Sequence, residues 1–288
     1  MMSRIITDSK MKLRDRLSFF IFVSLVIVSL CISCLITVAN PDTVVNAFCD
    51  KEVVEDLRSD VSLYAKDMCL ENNLPDDFVD NSITYDSMYY LQKSYISGRL
   101  GASAEFNENA FESHLEEFKD DLTEDVNKMI ADRNVQVDEN VSDTEVMDFC
   151  SDIADYIDSR VNLSYINSVV TGIKTLRTLS VVLLVIFALT GTASTVFMVF
   201  KGGKTYRIVR HISYSVLGAS LVGFINACVV AVVKATKDLV IYPLYIAKAF
   251  MIYVDSSIHT IIVSSLCLLV IFFVLVTSVW RIKRDEND

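Results

Sequence analysis

Residues 179–200, LSVVLLVIFALTGTASTVFMVF, contain no charged side chain and no proline. A helix needs about 20 apolar residues to cross a hydrocarbon core, so this run by itself predicts a transmembrane helix. Three further runs, 17–39, 212–233 and 258–280, read the same way. The expected fold is therefore all-α with four spans. Helical protein is also expected between the first two spans, because the 288 residues, 52% hydrophobic at a mean hydropathy of +0.40, leave one domain-sized remainder outside the spans.

The remainder lies almost wholly at 41–178 and is strongly acidic. Residues 41–170 carry 30 Asp and Glu against 9 Lys and Arg, a local charge of −21, while the rest of the chain is basic at +10. A domain of that charge repels nucleic acid and anionic headgroups and favours cations or basic protein surfaces. No nucleic-acid partner is expected.

Lys and Arg are retained in the cytoplasm during insertion. Arg4, Lys10, Lys12, Arg14 and Arg16 precede the first span, Lys201, Lys204, Arg207 and Arg210 follow the second, and Arg281, Lys283 and Arg284 follow the fourth. Lys174 and Arg177 stand on the other side, near the second span. This pattern predicts a multi-pass protein of the cell membrane with both termini cytoplasmic. Its segments are 1–16 inside, span 17–40, an acidic helical extracytoplasmic domain 41–178, span 179–200, an inner loop 201–211, span 212–233, an outer segment 234–257, span 258–280 and an inner tail 281–288. The first span is read as an uncleaved anchor, since its apolar run far exceeds the 7–15 residues of a signal core.

Periodicity predicts helices in the acidic domain. Val54, Leu57, Val61, Tyr64 and Met68 make one stripe on a helix over about 46–73. A tyrosine-rich helix follows over about 84–99. Phe111, Leu115, Phe118, Leu122, Val126 and Met129 mark a third. Ser142 and Glu145 form a capping-box pattern opening a fourth, whose face carries Val146, Phe149, Ile153 and Tyr156 and which meets no proline before the second span. Four such helices predict an antiparallel bundle inserted between spans 1 and 2. In 234–257, apolar residues from Val240 to Val254 alternate with Lys237, Lys248 and Asp255, which reads either as an interfacial amphipathic helix opened by Pro243 or as a connecting loop.

Chemistry-bearing residues are few. Cys49, Cys69 and Cys150 fall in the outer domain, where disulfides are permitted. Cys49 and Cys69 are too far apart along one helix to pair, whereas Cys69 and Cys150 are expected near the same end of the bundle, either bridged or as two buried thiols. Glu145, Asp148, Asp152 and Asp155 share one helical face, a candidate cation surface or simply a solvated one. In the third span Ser215, Ala219, Gly223 and Ala227 repeat every four residues, a small-residue stripe that admits a close neighbour. Asn226 beside it is a strongly polar side chain at span depth, either functional or bonded across to a neighbour.

His114, His211 and His259 lack metal-ligand spacing, and no nucleophile elbow, phosphate-binding glycine loop or HExxH motif occurs. No enzyme activity, metal or cofactor is expected. The layout of four spans with a large first outer loop resembles permease-like bacterial cell-division proteins, and the outer helices resemble the sensory bundles of bacterial chemoreceptors. Both likenesses are of layout alone, and the short inner segments would pass any signal through a partner subunit. The function expected is an accessory or sensory subunit of a membrane complex, set in the lipid bilayer and docking to another membrane protein or to itself. Its acidic ectodomain would bind an extracytoplasmic protein or cation. A permease-like or channel-forming component and a structural envelope protein are the alternatives.

Overall fold

The structure is a computed structural model that describes residues 2–72, 74–102, 106–107, 109–133, 143–162, 164–200, 205–236 and 242–285. Among the described residues it is helical throughout, without a strand. The helices are α1 (Met2–Ile36), α2 (Pro41–Phe48), α3 (Lys51–Glu71), α4 (Tyr85–Leu100), α5 (Ala110–Arg133), α6 (Asp143–Val161), α7 (Ser164–Phe200), α8 (Thr205–Thr236) and α9 (Leu244–Asp285), with a 3₁₀ turn at Asp76–Val79. Four of them, α1, α7, α8 and α9, are long and apolar enough to cross a membrane. The chain divides into two compact units. One comprises Met1–Asn40, Ile173–Asp238 and Val254–Asp288, and the other Pro41–Gly172 with Leu239–Tyr253.

In the first unit, packing depends on small residues and hydroxyls. Apolar burial gives little drive for helix association in lipid, so close backbone approach and interhelical hydrogen bonds must supply it. Ser215 Oγ on α8 donates to Ser18 O on α1 at 3.2 Å, and a Cβ placed on Gly218 would stand 2.7 Å from the Phe22 ring. On the α9 side, Ser220 Oγ donates to Ser265 O at 2.8 Å. The hydroxyls of Ser33 on α1 and Ser264 on α9 lie 2.8 Å apart. α7 meets α1 through Gly191 beside Ser24 and through Ser180, whose hydroxyl reaches Cys34 Sγ at 3.4 Å. Ile21, Met198 and Ile208 form a small apolar core among these contacts.

In the second unit, α3 touches α4 and α6 while α5 touches the same two, so the four close around one core. That core takes Val53, Leu57, Val61 and Ala65 from α3, Met88 and Leu91 from α4, Phe118, Leu122 and Val126 from α5, and Phe149, Ile153 and Ile157 from α6. Burying each large side chain stabilises the fold by about 1.5–3 kcal/mol relative to exposure. α4 has sharp ends: Thr84 and Ser87 form a reciprocal capping box, and Gly101 closes the helix at φ 62°, a left-handed conformation that suits glycine.

Three elements differ from the sequence reading. The helix expected over 46–73 is two, because Asp50 leaves the helical conformation and its carboxylate accepts the Glu52 amide at 2.9 Å, capping α3 anew. Cys49 therefore belongs to the end of α2, not to the helix of Cys69. The expected run from the fourth outer helix into the second span breaks at Asn162, which ends α6. Finally, the segment at 234–257 is not separate from span 4: α9 is one helix from Leu244 to Asp285, since no Gly or Pro interrupts it. Its early turns belong to the second unit, where Tyr245 OH donates to Arg160 O at 2.6 Å and Lys248 Nζ meets Asp56 and Glu52 at 3.0 and 3.1 Å. Ser142, Lys201, Lys204, Lys237 and Val240 lie outside the described residues.

Gly223 on α8 is the tightest of these contacts, because a Cβ there would stand 2.1 Å from Ser265 Oγ. Gly223→Leu is expected to lower the stability of the detergent-solubilised protein by about 1–3 kcal/mol, the usual cost of overpacking. Leu221→Ala, at an exposed neighbouring position, should stay within about 0.5 kcal/mol. Thermal unfolding of the two variants side by side checks both.

Candidate functional site

A cleft of about 410 Å³ opens in the second unit between the end of α3, α5 and α6. Its apolar lining comes from Met68, Leu74, Val126, Ile130, Val146 and Phe149, and its rim from Glu71, Asn72, Glu145, Asp148 and Asp152. Helical spacing explains the rim. Residues 145, 148 and 152 fall at i, i+3 and i+7 on one face of α6, directly beside the face that buries Val146, Phe149 and Ile153. All four rim carboxylates are exposed, and among the described residues no basic side chain pairs with them. Among the same residues no three His, Cys, Asp or Glu side chains converge closely enough to hold a metal ion.

The carboxylates impose a local negative field. The Tyr64 phenol is held above its ordinary range by burial and then by Asp152, Glu71 and Asp155. Tyr64 itself stacks flat on Tyr156 at 3.8 Å, joining α3 to α6. Below that pair, Arg160 lies over the Tyr156 ring at 4.7 Å and its Nε faces Asp60 Oδ2 at 2.9 Å, without the in-line direction of a hydrogen bond. These contacts brace the wall on which the acidic face stands.

The other candidate residues fall as follows. Cys69 and Cys150 are free, buried thiols. Burial, then Asp76, Asp77 and Asp80, and last Cys150 push Cys69 up to about 11, and burial raises Cys150 against a hydrogen bond from Thr123. Asp155 is exposed and does not line the cleft. Ser215, Ala219 and Ala227 are buried and Gly223 packs on Ser265, whereas Asn226 is half-buried and makes no hydrogen bond among the described residues. Glu71, Asn72, Leu74 and Ile130 are the lining residues the sequence did not single out. Met68 and Val126 were visible as stripe positions, but nothing local says which stripes share a cleft.

Further pockets sit elsewhere. One lies between α4 and α5 around Asp86, Tyr90, His114 and Asp121, where His114 contacts Glu117 at 3.3 Å. Another, about 620 Å³, is an apolar groove between α1 and α9 with Ser29, His259, Thr260 and Ser264 on its wall. The α4–α5 pocket also sets exposed carboxylates, Asp86 and Asp121, beside Leu91 and Phe118, but its Glu117 stands against His114, whereas all four carboxylates of the α3–α5–α6 cleft lack a basic partner among the described residues.

The buried thiols make stability sensitive to alkali. Burial pushes Cys49 up to about 12 and Cys69 up to about 11, from an ordinary 9.0. Unfolding then releases roughly one proton per thiol above pH 9, so their contribution is intact below pH 9 and is lost as pH rises toward 11–12. The melting temperature should fall across that window, and more shallowly in Cys49→Ala/Cys69→Ala; equal slopes in the two proteins would refute the assignment.

No family model matches the chain, and neither the curated proteins nor the solved structures contain a match.

Proposed function

We propose that this is a non-enzymatic, multi-pass protein of the cell membrane whose helical unit α2–α6 faces outward, both termini being cytoplasmic. In this reading the cleft between α3, α5 and α6 binds a cationic, amphipathic segment of an extracytoplasmic protein, and the chain acts as the accessory or sensory subunit of a membrane complex. The observation that carries it is the cleft's composition: four carboxylates without basic partners around an apolar lining. Unpaired carboxylates raise the on-rate for a basic ligand, while the lining supplies affinity once water is expelled. The outward placement rests on the Lys and Arg that flank the apolar runs. Asn226, beside the packed stripe of α8, is a polar group available for docking a second membrane protein.

The test uses the reconstituted full chain and, as probe, a fluorescent amphipathic helical peptide of Lys and Leu. Glu145→Gln/Asp148→Asn/Asp152→Asn is expected to weaken binding about tenfold, since three exposed ion pairs of roughly 0.2–1 kcal/mol each are lost. Raised salt should weaken the parent in the same direction. Glu116→Gln/Glu117→Gln/Asp120→Asn removes as much charge away from the cleft and should change little. Equal losses in both variants would mean that net charge alone attracts the peptide, and the cleft reading would fall. Labelling of Ser159→Cys in intact cells by an impermeant maleimide checks the outward placement independently.

A further inference from the structure

Where α8 begins and α9 ends, six residues enclose a pocket of about 390 Å³: Tyr206 and Arg210 from α8, and Val279, Trp280, Lys283 and Arg284 from α9. Three cations share this small volume. Among the described residues Arg210, Lys283 and Arg284 have no carboxylate partner. Three like charges lining one small pocket create a local positive field that attracts a counter-charge.

Three features say what that counter-charge is. Arg210 and Arg284 offer planar forks that match phosphate oxygens two at a time, and Lys283 adds a compact charge. Trp280, 77% exposed, stands where the apolar part of α9 gives way to Arg281, Lys283 and Arg284. A large ring with a polar edge favours the headgroup level at such a boundary. Along α9 next to this end, Val270, Phe273 and Val274 are exposed and apolar, a surface that suits acyl chains.

We propose that this pocket binds the phosphate of an anionic membrane phospholipid, held by Arg210, Lys283 and Arg284 with Tyr206 and Trp280 at its edge. The proposal rests on the membrane placement of α8 and α9. It needs nothing from the acidic cleft. Basic pockets between membrane helices are suited to phospholipid headgroups by the same electrostatics.

The experiment uses the full chain in mild detergent, with bound lipid read by native mass spectrometry against defined phosphatidylglycerol, phosphatidylcholine and inorganic phosphate. Phosphatidylglycerol should be retained in preference to phosphatidylcholine, and inorganic phosphate should not displace it. Arg210→Gln/Lys283→Gln/Arg284→Gln should reduce that retention by about tenfold or more, and Lys283→Gln alone should reduce it by less. Arg281→Gln, which removes a charge just outside the pocket, should retain the lipid. Equal retention of the two lipids, equal loss in Arg281→Gln, or ready displacement by inorganic phosphate would overturn the proposal. Alkaline carbonate extraction of cell membranes separates the two levels: parent protein in the soluble fraction sinks the membrane placement and the lipid site together. Membrane-retained protein without lipid preference sinks the lipid site alone.

Discussion

At Gly223 the backbone of α8 comes so near Ser265 that no side chain fits between them, and at Gly218 the Phe22 ring occupies the place a Cβ would take. These two approaches set how α8 meets both α1 and α9, and the hydroxyl contacts of the unit follow from them. Ser220 reaches the Ser265 carbonyl, and Ser215 reaches that of Ser18, because the backbones are close enough. In lipid each such bond contributes only about 0.6 kcal/mol on average, so no single hydroxyl decides the packing. The glycines do, by admitting all of these contacts at once. The stripe Ser215, Ala219, Gly223 and Ala227 thus serves contacts within the chain, and Asn226 beside it is left without a partner among the described residues.

The second unit answers a different constraint. Thirty acidic side chains in 130 residues repel one another, and most of those among the described residues stand on exposed faces over a continuous apolar core. Several half-buried carboxylates have partners: Arg160 for Asp60, Lys248 for Asp56, the Ser82 hydroxyl for Asp125 and the Glu52 amide for Asp50. Lys66 likewise meets Asp80 at 3.0 Å. These pairs lie along α3 and its neighbours, away from the cleft rim. The carboxylates of Glu71, Glu145, Asp148 and Asp152 are among the many without a basic partner, and what sets them apart is that they rim one cleft with an apolar lining.

Helix existence was legible where apolar residues keep a 3.6 period, as in α3, α5 and α6, because that period states both the element and its buried face. The break at Asp50 was not, since apolar spacing continues across it and the deciding bond is one carboxylate to one amide. The long α9 was hidden for the opposite reason. Lys248 and Asp255 look like interruptions of an apolar helix, yet each finds an opposite charge, Lys248 with Glu52 and Asp56, and Asp255 with Lys234, so the helix runs on. The acidic face of α6 was readable from spacing, whereas its pairing with Glu71 and Ile130 depends on which helices become neighbours. The basic pocket was half readable: Arg210, Lys283 and Arg284 stood out as topology signals, and only the approach of α8 to α9 brings them to one pocket.

The spacing of the acidic rim also bears on what kind of cation suits it. A metal ion needs several oxygens at about 2.3–2.6 Å from one point, and carboxylates one turn apart on a helix stand about 5–6 Å apart at their Cβ atoms. Residues 145 to 152 spread along about 10 Å of α6, so they offer a ladder of charge in place of a cage. A ladder of that pitch matches a ligand with basic groups at the same interval, which is what one face of a basic amphipathic helix presents. The apolar lining beside it, Val126, Ile130, Val146 and Phe149, then meets that helix's other face. Free metal ions and small polyamines would leave the lining wet, and an uncharged apolar peptide would leave the rim without counter-charge. A ligand that carries both features uses the whole cleft.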